Sequence, residues 1–377
     1  MQRSKNFLLI EAIATLIGTI IGAGIFGIPY VFNQSGFWTG TLALMVVGLA
    51  MILMKFMYGE IALRTPGIHQ IAGYTGIYLG KIAKRVISLI LIFSFYGALL
   101  VYFIGTGEVI GALTGMPAIW SGLGFFVVFS IFIYFGITLT KRVELVMTIF
   151  MLIAMVGIGV LSFRQIELTN LSGWHWDLFF IPYGVLIFAC SGTEAVPQVR
   201  QILKGAEHKM KSALGWGCAI PQVVYWLFVA LVISVSGAKV TEVASVGLGE
   251  LFGWQMILVA NIFAFFAMAT SFLVLGLALI EIYKFDYKLS GPTAWLLTVS
   301  VPLAAFFLGA RDFIGTINFV GALVAGLAGI LEVVTYFVAR RRGKRKPEYE
   351  LPVWLGVAGG IFLIVLFIFG LTYTLKP

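Results

Sequence analysis

Apolar residues run along this chain in blocks of about twenty or more, the length a helix needs to cross the hydrocarbon core of a bilayer. Eleven blocks are read, at about 8–31, 37–62, 84–108, 117–139, 143–163, 178–202, 212–236, 253–283, 293–310, 314–339 and 352–374. The pattern predicts an all-α polytopic membrane protein, a single transmembrane domain over 1–377. Two blocks are interrupted. The first carries GTIIGAGIFGIP at Gly18–Pro29, with Gly22, Gly24, Gly27 and Pro29 near its middle. Glycine and proline disfavour continuous helix, and freed backbone is tolerated at membrane depth only where protein or a cavity surrounds it. The alternative is a small-residue stripe for close helix packing. The sixth block repeats the feature. Cys190-Ser191-Gly192-Thr193-Glu194 is polar and helix-breaking, and Pro197 follows Gly192 by five residues, as Pro29 follows Gly24. Interrupted spans at positions one and six point to an inverted five-plus-five repeat, about 8–163 and 178–339, with the site between its halves and a peripheral helix at 352–374.

Direction gives the two joints opposite electrical character. The first span's second half begins near Gly24–Gly27 with free amides, suited to a carboxylate that Gly22 and Gly24 let approach. The sixth span's first half ends near Phe188–Cys190 with free carbonyls, suited to an ammonium. Facing poles of this kind complement a zwitterion, so an α-amino acid is favoured over a sugar or a lone ion. Phe26, Phe93, Tyr96, Phe188 and Ser191 are candidates for a side-chain pocket, mostly apolar and aromatic, although such residues also simply fill helix bundles. A neutral, apolar or aromatic substrate follows.

Composition agrees, with 60% hydrophobic and 11% charged residues and a mean hydropathy of +1.04. The net charge of +9 would suit nucleic acid, but its placement argues against that partner. With the N-terminus in the cytoplasm, 20 of the 25 Lys and Arg fall on the inner side, four outside, and Lys55 within a helix. The positive-inside rule then places the C-terminus outside after eleven spans in a plasma or inner membrane. The basic run 339–346 reads as a stop-transfer loop touching anionic headgroups. No cleavable leader is evident. Cys190 and Cys218 lie within spans and carry no disulfide or metal signal.

Other residues have a plain and a functional reading. Glu194 is an intramembrane carboxylate that either meets the substrate amine, carries a proton or caps the half-helix behind it. Lys55 lies nine residues, about 13 Å of helix, from Arg64 and is expected to snorkel toward the inner face. Glu60 and Arg64 form an i,i+4 pair. Glu332 is read as a partner for nearby arginines, and Glu108 closes the third span. The stretch Arg64–Lys81 predicts a short helix at the inner surface, and Trp174 and Trp176 read as interfacial anchors. The segment Gly237–Gly253 reads as a lid over an outer vestibule or as an ordinary loop. Thr270 and Ser271 either bond back to their own helix or supply oxygens to Na⁺.

GTIIGAGIFGIPY, GEIALRTPGIHQIAGYTGIYLGK, PYGVLIFACSGTEAVPQ and ATSFLVLGLAL together resemble the aromatic and hydroxy amino acid permeases of the amino acid–polyamine–organocation superfamily, over essentially the whole chain. The resemblance implies a LeuT-type fold and secondary active transport by alternating access. Gly18–Gly24 and Ala267–Ser271 are similar to the break and the A-x-x-T-S element of the sodium-symporter branch. That implies Na⁺ held by the carbonyls of Gly18, Ile21 and Ala267 and the hydroxyls of Thr270 and Ser271, with the substrate carboxylate on Ala23 and Gly24. Ile25 stands where that branch has an Asn for a second sodium, and the fifth span lacks the Lys of some proton-coupled relatives. Sodium is the expected coupling ion and the proton the alternative. The expected function is an ion-coupled importer of neutral amino acids. An uncoupled facilitator and a sensor are weaker readings, and an enzyme is disfavoured because no H-E-x-x-H or G-x-S-x-G motif is present.

Overall fold

The computed structural model of the chain describes residues 5–136, 153, 156–285 and 287–374. Among these the regular structure is entirely helical. Helix α1 (Lys5–Ile20) and α2 (Gly24–Ser35) meet at a bend of 56° across Ile21–Ala23. The helix α3 (Phe37–Arg64) is followed by the short α4 (Ile71–Leu79), where the sequence predicts a helix between spans. Next come α5 (Lys81–Thr114) and α6 (Ala118–Phe135). The block expected at 143–163 and the Thr140–Arg142 turn before it lie mostly outside the described residues; 156–162 are helical.

The sixth block is also split. Helix α7 (Tyr183–Ala189) and α8 (Val196–Ile202) flank an unwound Cys190–Gly192 and a single 3₁₀ turn over Thr193–Ala195. Gly192 sits at φ +109°, a conformation that glycine adopts without strain. The chain continues through α9 (Met210–Ser236), α10 (Ala244–Phe252), α11 (Trp254–Phe285) and α12 (Gly291–Phe307). It ends with α13 (Phe313–Asn318), a π-helical stretch Phe319–Ala325, α14 (Gly326–Arg342) and α15 (Val353–Thr374). Among the described residues, seven helical runs are long and apolar enough to cross a membrane, and the bent α1–α2 pair makes up to eight.

Small residues decide where the broken helices cross. A Cβ added at Gly24 would lie 2.6 Å from the Cα of Ala189, so α2 and the end of α7 touch backbone to backbone. The packing role of the glycines is therefore real alongside the break. Gly321 in the π stretch is likewise closed against the Gly184 carbonyl of α7. Widened π turns of this kind are rare and often mark functional sites. The hydroxyl of Tyr225 on α9 stands 2.7 Å from the Ile20 carbonyl and 2.8 Å from that of Ala189, giving one shared donor to both breaks.

A polar knot ties α3 to α14 and the chain after it. Glu60, fully buried, accepts from Arg64 at 2.8 Å and from the Leu351 amide at 2.8 Å, and Arg340 stands 4.0 Å away. The Glu60–Arg64 pair is thus part of a larger network. Arg340 also donates to Tyr336 and to the Leu351 carbonyl, and Arg345 pairs with Glu348. Within the basic run, Arg341, Arg342, Lys344 and Lys346 stay exposed. Trp174 and Trp176 are exposed and meet edge to face. The segment between α9 and α11 holds α10, whose Ala244, Ser245 and Leu248 are buried.

Candidate functional site

A cavity lies between the two breaks and runs to α14. Gly18, Gly22 and Gly24 line it from α1–α2, and Phe188, Ser191 and Glu194 from the sixth span. Tyr102 from α5, Ser271 from α11 and Glu332 from α14 complete its polar lining. On the far side of the α1–α2 joint the path is closed by Phe26, which packs at ring distances of 5.9 Å on Phe228 and 5.0 Å on Phe263. Phe26 is wholly buried in this aromatic plug, not a wall of the cavity.

The third-span residues show how helical phase selects a lining. Leu91, Phe95, Ala98 and Tyr102 reach the cavity at i, i+4, i+7 and i+11, one stripe of a helix. Phe93 falls off that stripe and is 65% exposed on the outer surface of the bundle. Tyr96 turns toward α11 and α12, where its hydroxyl bonds that of Tyr283 and donates to the Leu297 carbonyl at 3.1 Å. Neither residue meets the cavity expected for it. Tyr102 and Phe95 take those places, a distinction that needs the neighbours of α5 and not its sequence alone.

The carbonyls at the end of α7 are largely in use. The Phe188 carbonyl accepts from the Ser191 hydroxyl, that of Ala189 from Tyr225, and that of Cys190 from Lys55 at 2.6 Å. Lys55 is 1% exposed, so it does not snorkel to a surface. Snorkelling requires a clear path to headgroups, and here the unwound sixth span offers a nearer acceptor. The negative pole read from the sequence is thus partly filled by the protein's own ammonium. Ala23 is buried, and its carbonyl accepts from the Phe26 amide at 3.1 Å.

Glu332 departs most from its sequence reading. Its expected arginine partners are taken, Arg340 lying by Glu60 instead. Glu332 is 5% exposed, and its Oε2 has no hydrogen-bond partner among the described residues. The charged groups acting on it are Lys55 and Glu194. Glu194 lines the same cavity from the turn that opens α8. Lys55 and Glu332 were detectable as charges inside apolar blocks, but the bond of Lys55 to the sixth-span break and its electrostatic action on Glu332 were not.

The oxygens expected to hold sodium are only partly assembled. Ser271 Oγ would stand 2.7 Å from a Cβ at Gly22, so the break of the first span abuts α11 here. Gly18 lines the cavity beside them, while Ile21 and Ala267 are buried. Both hydroxyls, of Thr270 and of Ser271, donate to the Ala267 carbonyl at 3.0 Å. Each hydroxyl keeps oxygen lone pairs while its proton is donated, so the oxygen chemistry fits a sodium ion.

Comparison with known proteins agrees with this arrangement. The chain is 22% identical to glutamine transporter 2 of Aliivibrio fischeri (strain ATCC 700601 / ES114) over 384 residues, 97% of this chain and 98% of that one. Its fold matches the crystal structure of MhsT in complex with L-phenylalanine at a TM-score of 0.66 and 12% identity, covering 97% of each chain. MhsT has the LeuT fold. Residues 5–376 match the tryptophan/tyrosine permease family. The family match over residues 5–376 makes this chain a member of the tryptophan/tyrosine permease family, a multi-pass membrane transporter of amino acids and not an enzyme.

Proposed function

We propose that the protein imports neutral amino acids with apolar or aromatic side chains, by alternating access and driven by an ion gradient. The observation that carries this reading is the cavity bounded by both helix breaks, closed on one side by Phe26, Phe228 and Phe263 and lined on the other by Gly18, Ser191 and Glu194. Half-helices meeting at such a site are what rigid-body rocking of one repeat against the other requires. The zwitterion's carboxylate would lie against Gly22, Ala23 and Gly24. Its ammonium would face Glu194 and the Phe188 carbonyl, since Lys55 holds the carbonyl of Cys190. The apolar lining from Phe95 and Phe188 favours an apolar side chain. The phenylalanine bound by MhsT supports that class, and the glutamine transporter supports the wider class of neutral amino acids.

Topology is part of the proposal. Eleven spans would form two inverted repeats plus α15, with the N-terminus in the cytoplasm and the C-terminus outside. The cavity would then face inward, and Arg341, Arg342, Lys344 and Lys346 would meet anionic headgroups. Two ion sites suit the geometry. Sodium would take the oxygens of Gly18, Ile21, Ala267, Thr270 and Ser271. A proton would take the buried carboxyls, a reading favoured by the unpartnered Glu332.

A thermal-shift screen of the twenty amino acids, with and without Na⁺, tests the substrate class. A ligand a hundredfold above its Kd adds about 2.7 kcal/mol to the folded form. One or a few neutral amino acids should raise the unfolding midpoint. No shift with any of them refutes the substrate assignment, and a shift independent of Na⁺ removes the sodium site.

A further inference from the structure

We propose that Glu332 is the proton-binding group of the transporter, acting with the buried Lys55 and the half-buried Glu194 beside the break of the sixth span. This rests on the transport reading above and deepens it by naming the group that carries the coupling proton.

The argument starts from charge. Two carboxyls line the cavity, the buried Glu332 and the half-buried Glu194, and one buried amine, Lys55, acts on both. With both carboxyls ionised and the amine charged, the set carries one uncompensated negative charge away from water. Low-dielectric surroundings make that state costly, and a carboxyl neutralises when no partner arrives. One proton cancels the excess. Of the two acids, Glu194 is half-buried and stands in the turn that opens α8, where the helix dipole favours its charged form. Glu332 Oε2 has no hydrogen-bond partner among the described residues, as suits a neutral acid.

A bare sodium ion would serve the same balance less well. It would sit beside the Lys55 ammonium, whereas a proton forms an O–H bond and leaves no free cation to be repelled. The titratable groups acting on Glu332 are Lys55 and Tyr58 on α3 and Glu194 at the break; Tyr74 on α4 stands beside Tyr58, and Tyr102 on α5 beside Glu194. Tyr58 is buried with its hydroxyl unpartnered and packs edge-on against Tyr74 at 5.7 Å. The two rings bound the acid on the α3–α4 side. Water reaching Glu332 when α4 and α14 separate would accept its proton, breaking the O–H bond. Return from the opposite side would form it again. Lys55 supplies the positive charge that keeps Glu194 ionised throughout.

The test uses the purified full chain in sodium-free liposomes, with a labelled equimolar mixture of the twenty L-amino acids as probe and a lumenal pH dye. An inward pH gradient should drive accumulation, and adding the mixture without an imposed gradient should acidify the lumen. Glu332→Gln should lose both signals, falling to the level of protein-free liposomes, while counter-exchange into liposomes preloaded with unlabelled mixture persists. A folding defect would lower exchange and driven uptake together, so the ratio of the two is the readout. Glu332→Asp keeps a titrating carboxyl and should keep driven uptake with a displaced pH profile. Driven uptake retained by Glu332→Gln overturns the proposal, as does a wild-type pH profile in Glu332→Asp. Wild-type uptake that needs sodium and moves no protons overturns it and leaves the transport reading standing. No wild-type uptake of any amino acid overturns both.

Discussion

The ammonium of Lys55 stands 2.6 Å from the carbonyl of Cys190, so a side chain from α3 caps the open end of α7 in the middle of the bundle. The contact joins a helix of one proposed repeat to the break in the other. Any motion that separates α3 from α7 must break or carry it, which makes this one bond a reporter of the transport cycle.

Lys55→Met removes the only amine acting on Glu332 and Glu194 that is also bonded to the break. Taking away one member of a buried ionic set costs about 3–5 kcal/mol, because the charge left behind is uncompensated. The unfolding midpoint in detergent should fall sharply. Adding Glu332→Gln should recover part of the loss, a coupling that a double-mutant cycle measures. Additive losses would show that the two residues do not share a charge balance.

Gly24→Ala tests the crossing of the breaks. The new methyl would lie 2.6 Å from the Cα of Ala189, backbone against backbone, where no flexible side chain can yield. Overpacking of a filled site costs about 1–3 kcal/mol. The expected outcome is a lower unfolding midpoint together with lost amino acid binding, read in the same thermal-shift assay. Normal stability with lost binding would assign Gly24 to the carboxylate alone.

Thr270→Val with Ser271→Ala removes two hydroxyls that here donate to the Ala267 carbonyl. If sodium binds at this point, the concentration needed for half-maximal uptake should rise steeply. Uptake with unchanged sodium dependence rejects the site. The folded state should barely notice, since both hydroxyls bond back within their own helix, an interaction of small net value.

The breaks were legible in sequence because they are local. Gly22, Gly24 and Pro29 announce the bend at Ile21–Ala23, and Gly192 announces a backbone at φ +109°. Helix limits followed from hydropathy for the same reason. What a side chain meets across the bundle was not legible. Phe93 and Tyr96 differ from Phe95 and Tyr102 only by rotation about α5, and a uniformly apolar helix has no polar face to fix that rotation. Lys55 and Glu332 were visible as charges in apolar blocks, yet a helix end carrying arginine lay near each in sequence, Arg64 after Lys55 and Arg340 to Arg342 after Glu332. Only the fold shows that Arg64 and Arg340 converge on Glu60 and leave Glu332 alone. The π stretch of Phe319–Ala325 left no sequence mark either, because its widening answers the Gly184 backbone of another helix.

Glu242, in the segment joining α9 to α10, should make that segment sensitive to pH. Partial burial and the neighbouring Asp312 raise its carboxyl above the ordinary value of 4.5, while the Ile314 amide works in the opposite direction. A raised carboxyl binds its proton more tightly in the folded form than in the unfolded one. Its contribution to stability is therefore complete below the ordinary carboxylate range and is lost as the pH rises through the raised value. The side chain faces solvent, so the effect is local, screened by salt, and too small to move global stability. Hydrogen-exchange protection of residues 237–243, corrected for intrinsic rates, should fall as the pH climbs from 4.5. Glu242→Gln should flatten that dependence at the higher, acid level of protection. Asp312→Asn should displace the fall to lower pH, because the repelling charge is gone, while the Asn side chain still caps α13 at Gly315. A profile that ignores both substitutions would mean the loop is held by α10 packing alone, through buried Ala244 and Leu248, and not by its charges.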